Sequence, residues 1–374
     1  MTDRVDARVN DAAIALSAPS VGPEERAAVL RVLESGTLAQ GPEARLLEDE
    51  WARATHAPFA VATSSGTAAL QLALLAHGIG PGDEVITSPF TFVATAHAII
   101  HVGAKPVFVD VEEDTFNLDA KKLEAALTDK TRAILPVHLF GQPCDMARIE
   151  DLATARRLVI VEDAAQSMGA RYRGEPVGAR HTSCFSLYAT KNVMAGEGGI
   201  ITTHDSAVAA AARMLRSHGR QERDYAERPG FNLRLSELSA ALGRAQLGRL
   251  GELTERRRHN AAFLSRQLER YGERFVLPTV RPERTHVWHQ YTVRVKAGAD
   301  ERARVRARMT ELGIATGLFY ARLASDQPSV RSCGFGGEPL PVATRLSGEV
   351  LSLPVHPGLD AGDLERVAEA IRGA

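Results

Sequence analysis

Apolar positions along the chain fall into two alternating periods, short runs of strand type and longer stretches of helical spacing. "VGPEERAAVLRVLESG" sets Pro23 in a first helical turn and Gly36 after the last, and a second amphipathic helix is expected after Gly41-Pro42. Strand and helix then alternate: "PFAVATS", a helix in "SGTAALQLALLAHG", "DEVITSP", a helix near "TFVATAHAIIHVG", then "KPVFVDV". The pattern continues through a helix near "LDAKKLEAAL", the strand "RAILPVHLFG", a helix near "ARIEDLATARR" and the strand opening "LVIVEDAAQSMGA". Further strands are expected in "SCFSLYAT" and "GGIITTHD", with a helix from Ser206. Such alternation predicts an α/β fold with a mostly parallel sheet between helices.

Around residue 250 the pattern changes. Gln246 to Asn260 reads as one long charged connecting helix, followed by a strand in "HVWHQYTVRVK" and helices in "ERARVRARMTELGI" and "LDAGDLERVAEAIRG". This predicts a large domain over 1–250 and a smaller α+β domain over 251–374. "RSCGFGGEPLPVA", with three glycines and two prolines, is the most irregular segment.

Composition narrows the classes. With 374 residues, 44% hydrophobic, the chain can bury a large core. A net charge of −1 supplies no global field for nucleic acid or an anionic membrane. Cys144, Cys184 and Cys333 are odd in number and widely spaced, which makes neither a disulfide framework nor a metal pair. No leader-like start and no run of about 18 apolar residues is visible, so a cytoplasmic protein is expected.

Candidate chemistry begins where "LVIVEDAAQ" runs a strand into Glu162 and Asp163. Acids at the carboxyl end of a parallel strand sit where open α/β sheets bind ligands, so a cationic partner is expected. If the period of two holds, Glu162 points to the other side and is structural. In "TSSGTAAL" Gly66 and Thr67 open a helix whose free amides suit a phosphate, although taken alone the motif is weak and capping by Ser64 or Ser65 is the safer reading. "FSLYATKNVMAGEGG" supplies Ser186 and Lys191; a lysine is usually a solvated charge, but a desolvated amine forms a Schiff base. His138, in "PVHLFG", is read as structural.

Together "SSGTAAL", "SPFTFVATAHAI", "PVHLFGQPCDM", "VEDAAQSMGA", "FSLYATKN…GEGG" and "GFNLRLSELSAALGRAQL" resemble, in order, the PLP-dependent sugar aminotransferases of the DegT/StrS type, within the fold type I aminotransferases. The resemblance implies pyridoxal 5'-phosphate (PLP) as cofactor, Lys191 as its Schiff-base lysine and Asp163 as partner of the pyridine nitrogen. It places Gln166 near the phenolic oxygen, Phe92 on the ring face, and Gly66, Thr67 and Ser186 on the phosphate. Asn232 would join the phosphate from a second subunit, making a homodimer with composite sites. Tyr188, Tyr320 and Arg220 are candidates for substrate contact, with Arg223 and Arg322 further candidates for a diphosphate. No metal site is implied.

The expected reaction moves an amino group from L-glutamate to a nucleotide-linked 4-keto-6-deoxyhexose, at carbon 4. Amination at carbon 3, a cyclitol or aminobenzoate-type aminotransferase, and a PLP-binding regulatory protein without turnover are the alternatives. A deoxysugar dehydratase would have histidine in place of Lys191. The family's Tyr-x-x-Pro-Leu-His-x-x-Pro stretch becomes "YARLASDQP", with Ser325 where the histidine would fall, which argues against carbon 3 and keeps the cyclitol and aminobenzoate alternatives open.

Overall fold

The computed structural model describes residues 13–222 and 225–373. Its main sheet holds seven strands: β1 Phe59–Thr63, β2 Glu84–Thr87, β3 Lys105–Phe108, β4 Thr131–Leu135, β5 Val159–Asp163, β6 Thr182–Ser186 and β7 Gly199–Thr203. Their order is β1-β7-β6-β5-β4-β2-β3. Pairing is parallel from β6 to β3, and β7 runs antiparallel to both its neighbours. This is the α/β, mostly parallel arrangement of a fold type I aminotransferase.

Period-two alternation decides which side each strand residue serves. Val85, Ala133, Leu135, Val161, Cys184 and Ile201 join one core, packed under helices Gly66–Ala76 and Ser206–Arg216. Their neighbours Ile86, Ile134 and Ile160 face helix Met146–Arg156, and Phe185 and Ile200 face helix Pro42–Thr55. Both sheet faces are therefore covered, as the near-continuous apolar strands require.

A second core gathers Leu264, Leu268, Tyr291, Val293, Val305, Leu351 and Ile371 around a three-stranded sheet, β8 Phe275–Val276, β9 Tyr291–Val295 and β10 Val350–Leu353. Ile14 joins this core from the N-terminal side, its backbone bonded to Gly313 and Ala315.

Three local expectations give way. The predicted helix near Leu118 forms two short 3-10 turns, Ala120–Lys122 and Glu124–Ala126, because the Asp119 carboxylate takes the Lys121 amide and starts a tighter turn. The connecting helix is two helices, Glu237–Gly248 and Leu250–Leu268, broken at Arg249 (φ −96°, ψ 2°). Only Tyr291–Val295 of "HVWHQYTVRVK" is strand, since Trp288 takes a left-handed φ of 51°.

One long-range contact fixes the helix that leads into the sheet. Pro42–Thr55 begins without a side-chain cap of its own, and the buried carboxylate of Glu237 supplies one: it accepts the amides of Gly41 (2.8 Å), Glu43 (2.7 Å) and Ala44 (2.9 Å). Four first-turn amides have no partner within a helix, and an acid there also meets the positive end of the helix dipole.

Candidate active site

The carboxyl edge of the sheet collects the candidate chemistry. Thr63 and Ser186 both pair with Gly199, so the ends of β1 and β6 and the start of β7 lie in one row. Asp163 ends β5 and pairs with Cys184 of β6.

Alternation along β5 separates the two acids as expected. Glu162 accepts the Ser183 hydroxyl and lies 3.7 Å from His138 Nε2. His138 Nδ1 accepts the Cys144 amide (3.1 Å), so that nitrogen carries no proton and the ring is fixed with Nε2–H toward Glu162. Both residues serve the scaffold. Asp163 faces the other way, buried, accepting the Thr95 hydroxyl (2.7 Å) and the Ala165 amide (3.1 Å). Burial raises its carboxyl pKa, while the Thr95 bond and the Lys191 charge oppose that rise.

Lys191 sits in the turn after β6, its amide bonded to the Tyr188 carbonyl (2.9 Å). Burial brings its ammonium down to about 8, and Asp163 acts against the fall. A lysine at that value holds a substantial free-base fraction near neutrality, which is what a nucleophilic amine needs.

The third part is an anion cradle. Ser65 caps helix Gly66–Ala76 by accepting the Ala68 amide (3.1 Å), so the capping role expected of this motif is real. It leaves Gly66 and Thr67 at the open helix start. A Cβ on Gly66 would lie 2.9 Å from the Ser186 Cβ, so Gly66 brings the helix end and the Ser186 hydroxyl together. Backbone amides, helix dipole and hydroxyl then converge as in a phosphate site. An amine for an aldehyde, a carboxylate for a ring nitrogen and a cradle for a phosphate fit PLP.

Other expected residues distribute unevenly. Gln166 is buried, with Oε1 accepting the Phe140 amide (2.8 Å) and Nε2 donating to the Tyr320 hydroxyl (3.2 Å). Tyr320 thus reaches this edge from beyond residue 250, and burial together with Asp163 pushes its hydroxyl pKa up. Phe92 is 60% exposed, so it is not a core ring. Tyr188 is also exposed. Asn232, Arg220 and Arg322 are exposed, and the neighbouring Leu233 carbonyl accepts the Ser64 amide (2.8 Å) beside the cradle. Arg223 lies outside the described residues.

Sequence reasoning missed Thr95, although it stands inside the quoted stretch "TFVAT". It also missed the support behind Lys191. There Asn192 Nδ2 donates to the Val287 carbonyl (2.9 Å), and buried Arg257 donates to the Trp288 (3.2 Å) and His289 (3.4 Å) carbonyls. No spacing in the chain links these segments.

The sequence profile of the DegT/DnrJ/EryC1/StrS aminotransferase family matches residues 19–372. A pleiotropic regulatory protein of Geobacillus stearothermophilus is 41% identical, with 93% of this chain and 94% of that protein covered. GDP-perosamine synthase of Caulobacter vibrioides is 38% identical, over 96% of this chain and 97% of that protein. Among solved structures, S. venezuelae DesV in complex with a ketimine intermediate superposes with a TM-score of 0.90 at 40% identity, covering 94% of each chain.

Proposed function

The chain belongs to the DegT/DnrJ/EryC1/StrS aminotransferase family, and from that premise we propose that it moves an amino group from L-glutamate to carbon 4 of a nucleotide-linked 4-keto-6-deoxyhexose. The chain is a PLP-dependent sugar aminotransferase. The observation that carries the amino-transfer chemistry is Lys191, set by the turn after β6 close enough to Asp163 for the two charges to interact, with burial bringing its ammonium down to about 8. GDP-perosamine synthase supports the sugar class and carbon 4, since perosamine is a sugar aminated there.

When bound, PLP supplies an electron-poor ring that stabilises negative charge at the donor's α-carbon. Lys191 would hold the cofactor at rest and, when free, would move the proton at the donor's α-carbon as a general base. Asp163 would keep the ring nitrogen protonated. Gly66, Thr67 and Ser186 would bind the phosphate, with Asn232 of a second subunit completing the cradle. Phe92 would cover the ring, and Gln166 would hydrogen-bond near its phenolic oxygen. 2-Oxoglutarate would leave with the donor's amino group kept in the site for the ketosugar, so ping-pong kinetics are expected.

A homodimer in the cytoplasm is part of this reading, with domains at 1–250 and 251–374. Leu30, Leu33 and Leu46 are more than two-fifths exposed on the first two helices, apolar side chains that a second copy could cover. Tyr188, Tyr320 and Arg220, with Arg223 and Arg322, are the substrate-side candidates. Among the described residues no helix is long and apolar enough to cross a membrane.

Incubation with PLP, glutamate and thymidine-diphosphate 4-keto-6-deoxyglucose, followed by NMR of the product, tests the proposal. An amine at carbon 3 rejects the regiochemistry. Turnover of a cyclitol ketone but of no nucleotide ketosugar rejects the substrate class.

A further inference from the structure

Among the described residues each oxygen of the Asp163 carboxylate has one donor: Ala165 N on Oδ1 and Thr95 Oγ1 on Oδ2. Thr95 Oγ1 also lies 2.8 Å from Thr91 Oγ1. An ionised carboxylate only accepts, so Thr95 commits its one hydroxyl proton to Asp163, and its oxygen must accept from Thr91. The chain therefore runs one way, from Thr91 through Thr95 to Asp163. All three are buried, at 3%, 1% and 5% exposure, where hydroxyl chains polarise one another and bonds to a charged acceptor are strong. A threonine serving only its helix would turn its hydroxyl to a backbone carbonyl, and Thr95 does not.

We propose that Thr95 is a positioning residue for amino transfer, holding Asp163 ionised and oriented toward the ring nitrogen of PLP, with Thr91 fixing the direction of the Thr95 hydroxyl. The inference rests on the reading of Asp163 given above. Helix Ala94–His101 carries Thr95 into place, and the Phe92 carbonyl accepts the Thr95 amide (3.2 Å), so the ring-covering residue and the positioning residue share one turn.

The test uses the full chain loaded with PLP labelled at the ring nitrogen. In Thr95→Val the nitrogen NMR shift should move toward the unprotonated ring and kcat should fall roughly tenfold to a hundredfold, with KM for glutamate nearly unchanged. Thr95→Ser should restore both. Thr91→Val should move both readouts the same way by less, which keeps the test decisive if Thr95→Val does not fold. Wild-type shift and kcat in a folded Thr95→Val, or in Thr91→Val where the former is insoluble, overturn the inference. Asp163→Asn run in parallel separates the two claims: if it stays active, the reading of Asp163 has failed; if it is inactive while Thr95→Val is normal, only the role of Thr95 has failed.

Discussion

Gly199 opens β7 directly against the turn of Ser65: a Cβ there would fall inside van der Waals contact of the Ser65 carbonyl oxygen and 2.7 Å from Thr63 Oγ1. The Glu-Gly-Gly turn after Lys191 is thereby pressed onto the turn that opens helix Gly66–Ala76, the proposed phosphate cradle. Gly199→Ala must push the two apart, and overpacking of this kind typically costs about 1–3 kcal/mol. We expect a lower melting temperature and at least a severalfold weaker affinity of the apoprotein for PLP. A variant matching wild type in thermal melts and PLP titration would mean that the turn yields freely.

Lys191 sets the pH dependence of cofactor capture. Its amine is neutral only above its pKa, which burial places at about 8 against an ordinary 10.5. The rate at which apoprotein captures PLP, followed by stopped-flow absorbance, should rise with pH and level off just above 8. An inflection near 10 would show a solvated lysine. Borohydride reduction and peptide mapping should place the label on Lys191, and Lys191→Ala should fold but lose both label and turnover.

Asp163→Asn should separate activity from stability. Loss of a buried ionic partner costs on the order of 3–5 kcal/mol, which in a barrier is roughly a hundredfold or more in rate. In the apoprotein the sign differs. Burial raises the Asp163 pKa above 3.8, so just above that pH the folded state holds more protons than the unfolded one, and stability falls as pH rises through the window up to the raised value. The asparagine variant lacks that slope. Denaturation midpoints measured against pH should therefore show no loss of stability for the variant at neutral pH, together with near-complete loss of turnover.

Composite sites predict complementation. Asn232→Asp and Lys191→Ala, each inactive as a homodimer, should regain activity when their subunits are mixed, because one hybrid site then holds both wild-type residues. Mixed dimers recovered by tag pull-down yet silent in the assay would place Asn232 outside the partner's site.

Glu237→Ala should destabilise the fold although the residue lies outside the candidate site. It strips three amides at the start of helix Pro42–Thr55 of their acceptor, and lost caps with bonds to a charged group add to about 2–4 kcal/mol. Chemical denaturation should register this. An unchanged midpoint would show that water replaces the carboxylate at no cost.

Local order in the sequence determined a good deal. Alternating periods predicted the parallel sheet, because apolar spacing reports which faces are buried. The strand ending at Asp163, the helix opening at Gly66 and Lys191 ahead of Glu-Gly-Gly were legible, because each is a short motif whose chemistry lies within a few residues. Glu162 and Asp163 could be assigned to opposite sides, since strand geometry fixes that parity. Tertiary structure decided what lies between distant segments. Nothing near Pro42 announces that Glu237 caps its helix, and nothing near Gln166 announces Tyr320. The turn at Asp119 and the break at Arg249 overrode helical patterns through local hydrogen bonding and backbone angles that periodicity does not encode. The same logic applies to Lys191: the sequence supplies the amine, but only the folded chain withdraws water from it and sets Asp163, bonded to Thr95, near enough for the two charges to interact.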